Sequence, residues 1–83
     1  MTRQDIGEKL KDVIKLVNPG LAPVVDGATE SSTLGGDIGL DSVGMLVIVI
    51  AVEEFFGVSF ADANLCDFAT VGDVIDYIEA RLS

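Results

Sequence analysis

The chain contains no histidine and no tryptophan, and Cys66 is its only cysteine. Without histidine, the serine–histidine and cysteine–histidine pairs of nucleophilic enzymes cannot form, and most zinc sites are excluded. A single cysteine cannot form a disulfide within the chain, so the fold has to be stabilised by packing. Cys66 is expected to be a small buried apolar side chain rather than a reactive thiol. We therefore expect no catalytic residue and no metal site.

Basic residues are also scarce, with 5 Lys and Arg against 14 Asp and Glu and a formal net charge of −9. Residues 1–17 hold 4 basic and 3 acidic residues, whereas residues 18–83 hold 1 basic and 11 acidic residues. Such a surface repels nucleic acid and anionic lipid, and it attracts basic patches on proteins. The sequence predicts a basic protein partner and no nucleic acid, although the charge could also serve solubility alone.

Long hydrophobic runs are absent. The longest, Val43 to Val52, stops at Glu53 and is far short of the roughly 20 residues that cross a bilayer. Residues 1–17 are amphipathic and charged, which is unlike a secretory signal. We expect no membrane span, a cytoplasmic location, and a monomer in which residues 1–83 form one domain.

Apolar residues recur at helical spacing in three segments. Residues 3–17 predict a first helix that ends before the Asn-Pro-Gly at 18–20. A second helix is predicted from Asp41 or Ser42 to about Phe56, ended by Gly57 in a left-handed conformation. A last helix is predicted from Thr70 or Asp73, with one apolar face. That face is formed by Val71, Val74, Ile75, Ile78 and Leu82.

The remaining segments predict the rest of an all-α bundle. Residues 18–41 contain both prolines and five of the nine glycines and are expected to form a long ordered loop. Residues 58–69 are expected to form a short helical turn or two, which gives three longer helices and one short one. Because residues 43–52 are rich in β-branched side chains, a buried strand is the local alternative there.

Ser42 lies where the glycine-containing loop meets the second helix. A hydrolase elbow would need glycine two residues before this serine, but Leu40 stands there. A hydroxyl on the first turn of a helix points outward beside free N–H groups and the positive helix end, which suits a covalently attached phosphate. The alternative is that Asp41 or Ser42 is simply an N-cap, worth about 1 kcal/mol.

The segment LGGDIGLDSVGMLVIVIAVEEFFGV resembles the core of the acyl carrier proteins, and FATVGDVIDYIEARL is similar to the last helix of that family. The resemblance implies a four-helix bundle with 4′-phosphopantetheine on Ser42. It also implies that a phosphopantetheinyl transferase adds this arm from coenzyme A, with Asp41 helping to position magnesium and serine. The thiol of the arm would hold an acyl group as a thioester, and the carrier itself would catalyse nothing.

The sequence departs from the family on the second helix, where Gly44 and Val47 occupy positions that usually carry acids. If Leu46, Val49, Val52 and Phe56 face inward, then Val43, Val47 and Ile50 form an outward apolar stripe that ends at Glu54. The stripe could pack against the loop, or it could bind partners. The resemblance implies acyl-transferring enzymes as partners, with basic or apolar docking patches.

The sequence therefore predicts an acyl carrier in a specialised fatty-acid, polyketide or related acyl pathway. Two alternatives remain open at this stage: a free-standing peptidyl carrier that loads an amino acid on the same serine, and an unmodified adaptor with the same fold.

Overall fold

The computed structural model describes residues 1–64 and 67–82. Within these residues the chain forms helix α1 (Arg3–Val17), a 3₁₀ turn (Pro19–Leu21), helix α2 (Ala22–Asp26), helix α3 (Ser42–Phe56) and helix α4 (Val71–Leu82). The predicted all-α four-helix bundle is confirmed. None of the helices described is both long enough and apolar enough to cross a membrane.

Helix α1 begins in a capping box, a reciprocal pair of hydrogen bonds that satisfies free N–H groups of the first turn. The Thr2 hydroxyl accepts from the Asp5 N–H at 3.1 Å, and the Asp5 carboxylate accepts from the Thr2 N–H at 3.2 Å. The buried face of α1 consists of Ile6, Leu10, Val13 and Ile14. This face packs against α2, α3 and α4, so α1 is the central support of the bundle.

The connection from α1 to α3 is more helical than the sequence indicated. Pro19 and Pro23 lie in the first turns of the 3₁₀ turn and of α2, where a missing N–H costs no helical hydrogen bond. Helix α2 buries Val25 completely. The short helix seen here is therefore in residues 22–26, inside the segment expected to be a loop.

The short helical turn predicted for residues 58–69 falls partly on Leu65 and Cys66. These two residues lie outside the described part of the chain, and so does the interpretation of Cys66 as a buried apolar side chain. In residues 58–64, Val58 and Phe60 are buried and belong to the core.

The segment from Glu30 to Leu34 is tied to the start of α4. Thr33 and Thr70 form an antiparallel bridge, the Leu34 N–H donates to the Ala69 carbonyl at 2.9 Å, and the Val71 N–H donates to the Ser32 carbonyl at 3.0 Å. Arg3 lies at the same end of the bundle and forms ion pairs with three carboxylates. These are Glu30, Asp76 and Glu79. The segment is therefore held by hydrogen bonds and ion pairs together.

Helix α4 buries the predicted face except at its end. Val71, Val74, Ile75 and Ile78 are buried, whereas Leu82 is 43% exposed. Leu82 is the last residue of the helix, and no later turn covers it within the described residues. Leu82 shares the apolar spacing of this face but is therefore not part of the core.

Helix α3 has apolar residues on every side. Ile48, Val49 and Val52 are buried in the core. Five other apolar side chains of α3 are exposed to water: Val43 by 70%, Leu46 by 51%, Val47 by 42%, Ile50 by 52% and Phe55 by 55%. The expected outward position of Val43, Val47 and Ile50 is confirmed, but the expected inward position of Leu46 is wrong. At helical spacing Leu46 lies three residues from Val43 and four from Ile50, which places it on their face.

Candidate functional site

Asp41 and Ser42 form the N-terminus of α3, and they have different positions in it. Asp41 is the N-cap: its carboxylate accepts from the Gly44 N–H at 2.7 Å, and its carbonyl accepts from the Met45 N–H at 2.9 Å. Ser42 is the first residue of the helix and is exposed. Because Asp41 serves as the cap, the Ser42 hydroxyl is not needed for that purpose.

The loop before α3 holds this pair outward. Ile38 and Leu40 are buried in the core, 3% and 8% exposed. Between them Gly39 has φ +90°, a conformation that side-chain-bearing residues rarely adopt. The Leu40 N–H donates to the Leu34 carbonyl at 2.9 Å. The side chains of Ile38 and Leu40, on either side of the glycine, hold this part of the loop in the core. Asp41 and Ser42 follow directly and are therefore held at a fixed position on the surface.

The loop is also fixed upstream by Asp37 and Thr33. The Asp37 carboxylate accepts from the Thr33 N–H, and the Thr33 hydroxyl accepts from the Asp37 N–H, both at 2.9 Å. The side chains of Thr33 and Asp37 are therefore held by reciprocal local hydrogen bonds. The site is pre-organised by short-range hydrogen bonds as well as by burial.

The helix end supplies a positive electrostatic potential at Ser42. The N–H groups of the first helical turn point out of the helix end, and the helix dipole adds partial positive charge there. An attached phosphodiester would gain roughly 0.3–1 kcal/mol from the helix end.

An open groove of about 420 Å³ begins at Ser42. Its lining combines loop and helix residues: Leu34, Gly35, Leu40, Asp41, Ser42, Met45 and Phe68. The enclosed space deeper in the core, between α1, α3 and α4, is only about 10 Å³. A covalent arm can therefore lie in the groove, whereas the core in this conformation has room for no more than about one water molecule.

Of the residues predicted from the sequence, Asp41 and Ser42 lie together at one end of α3. Val43, Val47 and Ile50 lie along its outward surface, and exposed Glu54 follows them one turn on. Leu40, Met45 and Phe68, which shape the groove, were not predicted. The Asp-Ile-Gly-Leu-Asp sequence carried a signal for Leu40, because two apolar residues flanking a glycine before a cap indicate a loop anchored in the core.

These features define a class of protein: a small helical domain that presents one exposed serine at a helix N-terminus, beside an aspartate that caps the helix. The family model described as "Phosphopantetheine attachment site" matches residues 5–78. The acyl carrier protein of Thermotoga maritima is 36% identical over 98% of this chain and 96% of its own length. Those of Coprothermobacter proteolyticus and an Exiguobacterium species are each 34% identical over 99% of this chain, and over 96% and 100% of their own lengths.

The chain therefore belongs to the acyl carrier protein family. It carries acyl groups as thioesters on 4′-phosphopantetheine and is a carrier rather than a catalyst. The three relatives are acyl carriers by name, so the comparisons favour the acyl reading over the peptidyl one.

Proposed function

We propose that Ser42 is the residue that holds the 4′-phosphopantetheine arm. The observation that carries this proposal is its position: Ser42 is exposed on the first turn of α3, while Asp41 alone makes the cap. The hydroxyl can therefore be modified without loss of a cap. The groove beside it gives the arm an apolar surface to lie on.

The modification would be carried out by a phosphopantetheinyl transferase. The Ser42 oxygen attacks the phosphorus that bears pantetheine in coenzyme A, the bond from that phosphorus to the adenosine bisphosphate portion breaks, and the hydroxyl proton passes to a base of the transferase. Asp41 is next to the serine, and we propose that its carboxylate helps to hold magnesium and the serine during transfer. Carboxylate oxygens are ligands that magnesium prefers.

The proposal extends to the whole chain acting as one carrier domain, residues 1–83, in monomeric form. We place it in the cytoplasm, where a transferase would meet coenzyme A, and in a specialised acyl pathway rather than in general fatty-acid synthesis. The last point is supported by α3, whose outward surface is apolar at Val43, Val47 and Ile50 and acidic only at Glu54. Its partners would be acyl-transferring enzymes with apolar or basic docking patches.

Incubation with coenzyme A, magnesium and a promiscuous phosphopantetheinyl transferase tests the proposal by intact-protein mass. The parent should gain the mass of one phosphopantetheine group, and Ser42→Ala should gain nothing. Ser59→Ala is the matched control, because Ser59 is also an exposed serine close to one end of α3. Modification of the Ser42→Ala variant, or an unmodified parent, would refute the assignment.

A further inference from the structure

The space at the centre of the bundle is almost completely filled. Its volume is about 10 Å³, whereas an apolar cavity that holds benzene, a molecule of six carbons, measures about 150 Å³. Ten of the described residues line it, all of them apolar, and nine of these are 8% exposed or less. A chain of even a few carbons can therefore enter the core only if the lining side chains move.

Five of the lining residues are branched at Cβ and lie on helices. They are Ile14 on α1, Ile48, Val49 and Val52 on α3, and Val74 on α4. In a helix the side chains of Val and Ile adopt one χ1 rotamer in about 90% of cases, so they do not swing aside as a methionine side chain can. To make room at the centre, the helices themselves would have to move apart.

Phe60 lines the same space and is held to two helices. Its N–H donates to the Glu53 carboxylate on α3 at 2.8 Å. The centroid of its ring lies 4.4 Å from that of Tyr77 on α4. The Tyr77 hydroxyl in turn donates to the carbonyl of Ser59, the residue before Phe60, at 2.8 Å. Phe60 therefore ties α3 to α4 beside the core and opposes their separation.

Three side chains, those of Leu34, Leu40 and Met45, line both the core space and the groove at Ser42. Two of them belong to hydrogen-bonded backbone: the Leu34 N–H donates to the Ala69 carbonyl, and the Leu40 N–H donates to the Leu34 carbonyl, both at 2.9 Å. Of the three, only Met45 is partly exposed, and its side chain is flexible. A chain that displaced Met45 would still meet the filled core behind it.

The groove itself has the volume of a site for one small ligand. It measures about 420 Å³, near the lower end of the roughly 300–1,000 Å³ typical of small-molecule pockets. The arm on Ser42 is a ligand of that size, so it occupies most of the groove. A cargo at the end of the arm then extends into water. Each methylene that stays in water forgoes a gain of about fourfold in the equilibrium constant for burial.

We infer that the protein carries short acyl groups, of about four carbons or fewer, which stay outside the bundle. This inference rests on the proposed function, because the cargo is attached to an arm on Ser42. The β-branched side chains at the centre and the tie formed by Phe60 keep the core closed. A chain of eight carbons on the arm would remain exposed to water along its length.

Loading with two cargoes tests the inference. A promiscuous phosphopantetheinyl transferase transfers the acylated arm from butanoyl- or octanoyl-coenzyme A, and intact-protein mass verifies one group on each molecule. The two loaded proteins should unfold at Tm values within about 2 °C of each other. If the four additional methylenes entered the core, the octanoyl form would unfold more than about 10 °C higher, and the inference would be overturned.

A matched pair of valine substitutions tests whether the central side chains cause the closure. Val52 and Val13 are each 1% exposed, but of the two only Val52 lines the space at the centre. In Val52→Ala the space is larger, so the octanoyl form should unfold about 4 °C or more above the butanoyl form. Val13→Ala should show no such difference, like the parent. Circular dichroism verifies that each variant is folded, and an equal response of the two would contradict the role of the central side chains.

The core can also be probed without the arm. Benzene added to the unmodified protein should leave the methyl signals of Val52 and Val74 unshifted, because both side chains line the filled space. Shifted signals would show a core that opens to six carbons, and they would overturn the inference even in a protein that accepts the arm. A parent that gains no arm from either acyl-coenzyme A would instead refute attachment at Ser42, so the two failures are distinct.

Discussion

The capping and chemical contributions of Asp41 can be separated by two substitutions. Asp41→Ala removes the acceptor of the 2.7 Å bond from the Gly44 N–H, which should cost about 1 kcal/mol of folding stability, within a range of about 0.5–2. Asp41→Asn keeps an oxygen acceptor and removes only the negative charge at the helix end, so it should cost about 0.3–1 kcal/mol. For a domain of this size each kcal/mol corresponds to about 4–8 °C in Tm.

Thermal unfolding and the initial rate of phosphopantetheine transfer are the two assays. Asp41→Ala should lower both Tm and the transfer rate. Asp41→Asn should retain most of the stability but lose most of the rate, because the amide cannot replace the carboxylate as a magnesium ligand of the same charge. Asp37→Asn is the matched control, since Asp37 is a carboxylate of the same loop that bonds to Thr33 rather than lying beside the serine.

Two outcomes would refute this reasoning. If Asp41→Asn unfolds at as low a temperature as Asp41→Ala, the charge rather than the hydrogen bond stabilises the helix end. If Asp41→Asn is modified as fast as the parent, the carboxylate has no part in the transfer and Asp41 is only a cap.

Three further predictions concern the bundle. Ile78 is fully buried, so Ile78→Val should cost about 0.5–1.5 kcal/mol in denaturant unfolding; no loss would mean that the core repacks. Gly57 ends α3 at φ +69°, so Gly57→Ala should destabilise by about 1 kcal/mol; an unchanged Tm would contradict this. N–H groups of Ala69 and Thr70 donate to Asp73 and lower its pKa from 3.8. Asp73→Asn should therefore destabilise most at neutral pH, with the difference from the parent shrinking as pH falls below about 3.8; a constant difference would exclude this linkage.

The three long helices could be predicted because each carries several local signals that agree. The predicted ranges of 3–17 and 41 or 42 to 56 match Arg3–Val17 and Ser42–Phe56. The spacing of apolar residues defined the helices, and Asp41 and Gly57 defined the ends of α3. All of these signals act within a few residues, so no knowledge of the tertiary fold was needed.

Helix α2 was not predicted, because the two prolines and five glycines of residues 18–41 indicate a loop. A proline inside a helix removes a hydrogen bond, but in the first turn it removes none. Pro23 is in the first turn of α2. Val25 of this five-residue helix is fully buried, α2 packs against α1, and the Lys15 ammonium of α1 donates to the Asp26 carboxylate of α2 at 2.8 Å. These are tertiary interactions that local sequence does not encode.

The expectation that Leu46 faces inward was wrong for a different reason. In α1 and α4 the polar residues fix which side faces the core, but residues 43–52 of α3 are almost all apolar, and the pattern cannot determine the rotation of the helix. The rotation is set by tertiary contacts of Ile48 and Val52 with the rest of the core. The groove at Ser42 could not be predicted from the sequence either. Its lining includes Leu34 and Phe68, which are far apart in the sequence.

Helix α3 contributes both to the core of the bundle and to the candidate site. Its inner side supplies core residues such as Val52, and its first turn presents Ser42 beside a cap that does not use the serine. Its outward side chains Val43, Leu46, Val47 and Ile50 contribute little to the stability of the free protein, because each is between 42% and 70% exposed. Substitutions at these four positions should therefore leave the bundle folded.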